Sequence, residues 1–133
     1  MSIGIGVARV SCLKINNMHN LKELKIWNKA LELAVEIYKA TEKFPREETY
    51  GLTSQIRRAA VSVPSNISEG AGRNTKGEFK QFLGIAIGSS YEVQTQLMIS
   101  HRLKLVDDIT LERLLKEIDE IQKMNYKLQM SMT

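Results

Sequence analysis

From Leu24 the apolar positions run Leu24, Trp27, Leu31, Ala34, Tyr38, Thr41 and Phe44, in alternating steps of three and four with Lys and Glu between them. Side chains so spaced share one face of an α-helix, which predicts a first helix of about six turns. Phe44-Pro45 closes it, because the proline ring crowds the preceding residue out of helical backbone angles. After the connection "REETYGLTSQ", the positions Leu52, Ile56, Ala59 or Ala60, Val63 and Ile67 repeat the spacing, and Gly70 and Gly72 end this second helix. A third begins near Thr75, whose hydroxyl can cap the first turn with Glu78 three residues on, and continues through Phe79, Phe82, Leu83, Ala86, Val93 and Leu97. The fourth follows "VDDIT", with Asp107, Asp108 or Thr110 to cap it and Leu111, Leu114, Leu115, Ile118, Ile121 and Leu128 as its stripe.

Four helices of similar length on short links predict an all-α fold, an antiparallel up-down-up-down four-helix bundle over residues 18–133. Within the third helix, "GIAIGSS" places Gly84 and Gly88 one turn apart, and each costs helix propensity. Either they are simply tolerated, or they permit close backbone approach to another helix or to a second subunit.

The second helix contains the stretch "QIRRAAVSVPSNISEGAGR". At 100° per residue, Gln55, Arg58, Ser62, Asn66, Glu69 and Arg73 fall within about 80° of one another beside the apolar row, and Arg57, Val61 and Pro64 occupy a third face. Short hydrogen-bonding side chains favour caps and turns over helix interiors, so the row asks for a partner. One reading is a polar seam that sets register within the bundle or between protomers, with Arg58 or Arg73 paired to Glu69. The other is a solvated face. Pro64 gives up a backbone hydrogen bond and crowds the Ala60 carbonyl, at a cost of about 3 kcal/mol in a helix interior. A kink within one helix is predicted there; the rival is two short helices broken at Val63, with Pro64 opening the second. Ser62, Pro64, Asn66, Glu69, Gly84 and Gly88 are thus the candidate oligomer or helix-packing residues.

Chemistry is constrained by what the chain lacks. Its single cysteine is Cys12 and its histidines are His19 and His101, so no disulfide framework and no Cys/His metal cluster can form within one chain, and reducing cytoplasm is the natural compartment. No apolar run approaches the roughly 20 residues of a membrane span. The leader "MSIGIGVARVSCLKINN" has no basic n-region and no helical period; residues 1–17 read as a poorly ordered tail or a misassigned start, not a signal peptide or lipid anchor. His101 has no Asp or Glu at helical spacing, and "EGAGRNTKGE" follows a helix and lacks the GK[ST] of a phosphate loop. No catalytic residue set, no metal and no cofactor is expected.

Charge points elsewhere. The net charge of +4 falls to +2 without Arg9 and Lys14, so its distribution matters more than its total. Seven basic residues face three acidic ones between Leu52 and Lys104, whereas Val106 to Lys123 holds six acidic and three basic. Arg73, Lys76 and Lys80 gather where the third helix begins, and backbone N–H groups there also favour phosphate. With Arg57 and Arg58 they are the candidate nucleic-acid-binding residues, against the alternative of a solvated helix start. Few aromatics are present to stack on bases, so such binding would be backbone-directed and weakly sequence-specific.

Trp27 with Ala30, Phe44-Pro45, Glu48, Tyr50-Gly51-Leu52, Gln55, Arg58-Ala59, Ser62, Pro64, Asn66, Glu69-Gly70, Arg73, Phe79, Phe82-Leu83, Ala86 and Gly88-Ser89 follow in an order and spacing that can be matched from Leu21 onward. On these residues the chain resembles the four-helix-bundle family first described from reading frames inside intervening sequences of bacterial 23S rRNA genes. Gly77, Asn125 and residues 1–17 depart from that pattern. The resemblance implies a single kinked second helix, a native start at Met18 and no established catalytic activity. A related branch, the accessory proteins of diversity-generating retroelements, forms pentameric barrels that bind a reverse transcriptase and nucleic acid. By that similarity the expected partners are further copies of the chain in a pentamer, RNA or DNA, and a protein such as a nucleic-acid enzyme. The competing class is an oligomeric interaction scaffold that binds no nucleic acid.

Overall fold

The computed structural model describes residues 20–132, so the leader at 1–17, the start at Met18, and Cys12 and His19 lie outside it. A one-turn 3-10 helix at Leu21–Glu23 leads into α1 (Lys25–Thr41), and a second at Arg46–Glu48 precedes α2 (Leu52–Ala71). The long helices α3 (Lys76–Arg102) and α4 (Asp108–Met130) complete an all-α chain.

Local chemistry sets the helix ends. Thr75 accepts from the Glu78 N–H at 3.1 Å while its hydroxyl meets Glu78 Oε1 at 3.0 Å, and Asp107 accepts from the Thr110 N–H at 2.7 Å. That backbone bond, strengthened by the Thr110 hydroxyl, holds the Asp107 carboxyl below its ordinary pKa. At the start of α2 the Leu52 N–H donates to Glu48 Oε1 at 3.2 Å, so the loop carboxylate satisfies a donor that the helix leaves open. α3 stops where Lys104 turns left-handed, with φ of 65°, and the Leu105 N–H reaches back to the Ser100 carbonyl at 2.9 Å.

The helices pack in a ring, α1 on α2, α2 on α3, α3 on α4 and α4 on α1. Gln55 meets Gln96 and Ser62 meets Ser89 across α2 and α3. Lys29 meets Glu120 and Glu36 meets Arg113 across α1 and α4. Numbers rise on one helix as they fall on its neighbour, so these pairs run antiparallel. The same holds across α3 and α4, where Leu83 meets Asn125 and Ser90 meets Gln122. Enclosed between them are Leu33, Ile37, Ile56, Val63, Leu83, Leu97, Leu114 and Ile118, each fully buried and each contributing roughly 1.5–3 kcal/mol of hydrophobic stabilisation.

One feature differs from the sequence reading, and one open alternative is decided. On α1 the buried row is Ile26, Ala30, Leu33, Ala34, Ile37 and Thr41, leaving Leu31 at 38% and Tyr38 at 43% exposure. α1 carries two adjacent apolar rows, and the packed one interleaves alanines with larger side chains so that neighbouring helices close in. α2 is continuous through Pro64, so the reading of two short helices falls, and Pro64 is buried while Val61 is exposed. α2 runs to Ala71 and Gly72 caps it, in keeping with the end expected at Gly70 and Gly72.

Gly70 marks a close approach between α2 and α3. A β-carbon there would lie 2.8 Å from Cδ1 of Phe79 and 2.8 Å from Cβ of Phe82. α2 crosses the start of α3 at a distance only glycine allows.

Candidate functional site

The polar row on α2 divides by position. Ser62 and Asn66 are half-buried against α3, where Ser62 Oγ and Ser89 Oγ lie 2.8 Å apart and Asn66 Nδ2 donates to both the carbonyl and Oγ of Ser62. Each of these polar groups is satisfied by another, which makes them a register device between two helices of one chain. Further along, Gln96 Nε2 donates to Glu92 at 3.3 Å and reaches Gln55 at 3.5 Å. Glu69 and Arg73 are exposed and pair with each other at 3.1 Å.

The five basic candidates do not form one patch. Arg57 is committed to the end of α1: it donates to Thr41 Oγ1 at 2.8 Å and to the Tyr38 carbonyl, and its guanidinium lies over the Tyr38 ring at 4.5 Å. Arg73 is shared between Glu69 and the ring of Phe82, 4.9 Å away. Arg58 is exposed without a hydrogen bond or ion pair to any described residue, but the rest of α2, about 20 Å of helix, separates it from Arg73. Lys76 is exposed and Lys80 half-buried at the start of α3, also without such partners among the described residues. Beside them a polar recess of about 520 Å³ is lined by Ser68, Glu69, Gly72, Arg73, Asn74 and Glu78, so two carboxylates temper the local positive charge.

Gly84 and Gly88 lie exposed on the outer face of α3 with open space beyond them; a β-carbon at either would meet nothing within 4 Å. Among the described residues neither makes a close approach to another helix, and Gly70 supplies one instead. Ile85 and Ile99, on the same side of α3, are also exposed.

His101 does have an acidic partner. Its Nε2 lies 2.6 Å from Asp108 Oδ1, brought over by the turn between α3 and α4 rather than by helical spacing. Arg102 and Lys104 line the adjoining recess, and Asp108 is almost fully exposed. Helical spacing missed this pair because it spans a loop. It also missed the ion pairs joining α1 to α4, where Lys29 meets Glu120 at 2.8 Å and Arg113 meets Glu36 at 2.8 Å. The hydrogen bond between Lys29 and Glu120 raises the lysine pKa and lowers that of the carboxyl. Among the described residues no cluster of three His, Cys, Asp or Glu is arranged to hold a metal, and no helix is long and apolar enough to cross a membrane.

A sequence model described as 23S rRNA-intervening sequence protein matches residues 22–127. Among solved structures, a protein of unknown function from the S23 ribosomal protein family of Bacteroides thetaiotaomicron superimposes with a TM-score of 0.71 at 24% identity. The alignment covers 78% of this chain and 97% of that one, a likeness of fold. No curated protein matches the chain.

Proposed function

Since the chain belongs to the 23S rRNA-intervening sequence protein family, we propose that it works as a non-enzymatic homo-oligomer whose exposed basic residues hold RNA or DNA by the phosphate backbone. The observation that carries this reading is the second, unoccupied face of α3. Gly84 and Gly88 sacrifice about 1 kcal/mol each of helix propensity beside exposed Ile85, and nothing among the described residues recovers it. Contact with α3 or another helix of a second copy would. The resemblance to the retroelement accessory branch makes a pentamer the proposed number.

Symmetry is what makes the charge useful. Arg58, Lys76 and Lys80 are free among the described residues, and a ring repeats each weak contact so that several phosphates are engaged at once. Binding of this kind is weakly sequence-specific and steep in salt. The scaffold reading is favoured by a different observation, the commitment of Arg57 and Arg73 to Thr41, Tyr38, Glu69 and Phe82.

Light scattering coupled to size exclusion, with and without a short mixed-sequence RNA across a salt series, separates the two. A multimer that takes up RNA at low salt and releases it at high salt supports nucleic-acid binding. A multimer indifferent to RNA leaves the scaffold, and a monomer removes the oligomer from both.

A further inference from the structure

Between α3 and α4 a shallow groove of about 360 Å³ runs beside the Gly84 and Gly88 face, on the side away from α2. Its walls carry two tyrosines from opposite helices, Tyr91 at 53% and Tyr126 at 62% exposure. Lys123 and Lys127 stand at its rim. Lys123 is tied to Asp119 at 3.0 Å, whereas Lys127 has no ion pair among the described residues. The floor is held by Gln122, whose Nε2 donates to Ser90 Oγ at 3.1 Å and to Gln94 Oε1 at 3.2 Å.

Resting on the nucleic-acid reading above, and with the contact between copies confined to the Gly84, Ile85 and Gly88 end of α3 so that Tyr91 stays open, we propose that this groove takes unpaired bases of a single strand, stacked on Tyr91 and Tyr126 with the phosphates toward Lys127 and Lys123. A half-exposed tyrosine offers a ring face without first being uncovered, and two such rings beside ammonium groups combine stacking with charge, the pairing that single-strand binders use. Only unpaired bases can present their faces here, since those of a duplex are stacked on one another. Both N–H groups of the Gln122 amide donate to Ser90 and Gln94, so they are not offered to a base, and Asp119, which also lines the groove, is paired with Lys123. Aromatic composition alone did not reveal the site, because Tyr91 and Tyr126 are far apart in sequence and only the α3–α4 pairing brings them to one groove.

The test uses the full chain and fluorescence anisotropy of a labelled single-stranded oligo(U), with a duplex of equal charge and inorganic polyphosphate as competitors. Tyr91→Leu and Tyr126→Leu keep helix propensity and should each weaken single-strand binding roughly 5- to 100-fold with an unchanged salt slope. Tyr91→Phe and Tyr126→Phe should bind like the parent, which also controls for folding. Lys127→Gln should reduce the salt slope by about 0.7. Unchanged affinity in both leucine variants, or competition by duplex or polyphosphate as effective as that by oligo(U), overturns the groove. If Lys76→Gln with Lys80→Gln abolishes binding while the leucine variants do not, the nucleic-acid reading stands and the groove falls. Absence of binding to any nucleic acid at low salt removes both.

Discussion

Gly70 and Phe79 are so close that a β-carbon on the first would lie 2.8 Å from the ring of the second. Phe79 is itself fully buried, and Phe82 blocks the other side through its own β-carbon, so neither neighbour can swing away cheaply. Helix propensity alone would favour alanine by about 1 kcal/mol, but overpacking a tight helix contact costs about 1–3 kcal/mol and a buried ring has nowhere to go. Gly70→Ala is therefore expected to lower stability by about 1–2 kcal/mol, read as a fall in the urea midpoint at unchanged slope.

Gly84 and Gly88 should respond with the opposite sign. With open space around both, Gly84→Ala and Gly88→Ala are each expected to stabilise the isolated protomer by about 1 kcal/mol. A longer side chain tests the assembly instead. Gly88→Gln should leave the helix content unchanged and lower the mass seen by light scattering; an unchanged mass would take this face out of the oligomer.

Arg57 separates structure from binding. Its contacts to Thr41 and Tyr38 make it a clasp between α1 and α2, so Arg57→Ala should cost about 1–2 kcal/mol of stability. Its effect on RNA affinity should be smaller than that of Lys76→Gln or Lys80→Gln, measured by anisotropy at equal folded fraction.

Glu117 offers a pH test. Burial raises its carboxyl pKa above the ordinary value, more than Arg113 at 3.7 Å lowers it, and Oε2 is buried without a hydrogen bond. The folded protein then binds this proton more tightly than the unfolded chain. The group's contribution is most favourable at acid pH and declines as pH rises from the unfolded value through the folded one. Glu117→Gln should accordingly gain stability at neutral pH and flatten that decline, whereas Glu120, whose pKa Lys29 lowers, contributes in the opposite sense, losing stability as pH falls. Urea unfolding at a series of pH values reads both.

The helices and their caps were legible because they rest on local chemistry: Thr75 with Glu78 and Asp107 with Thr110 lie three residues apart, and the stripes of α2 and α4 repeat at helical spacing. What failed was long-range. On α1 two apolar rows compete, and only the neighbours decide that Leu33 goes in while Leu31 stays out. Glycine carries no side chain whose pattern could be read, so the close packing of Gly70 against Phe79 and Phe82 was not visible beside its place at the helix end. Asn125 appeared as an interruption of an apolar row. It is buried, its Nδ2 donating to the Leu83 carbonyl at 2.9 Å and its Oδ1 accepting from Gln129 at 2.6 Å, so it is a lock in place of a gap. The partners of Arg57 and Arg73 were hidden for the same reason, since charge in a sequence does not reveal which guanidinium is already engaged.

The rungs between α2 and α3 have a further meaning for how this chain tolerates change in length. Gln55 with Gln96 and Ser62 with Ser89 straddle one short connection, and each step up α2 is matched by an equal step down α3. Inserting residues in that connection, after Gly72 and before the Thr75 cap, leaves both rungs aligned. Deleting a single residue between Gln55 and Ser62 turns part of α2 by about 100° and leaves one rung without its counterpart. The helical hairpin is thus a calibrated part with an adjustable handle: loops can be lengthened or cargo grafted at its tip, while the helix spans between the rungs must keep their length.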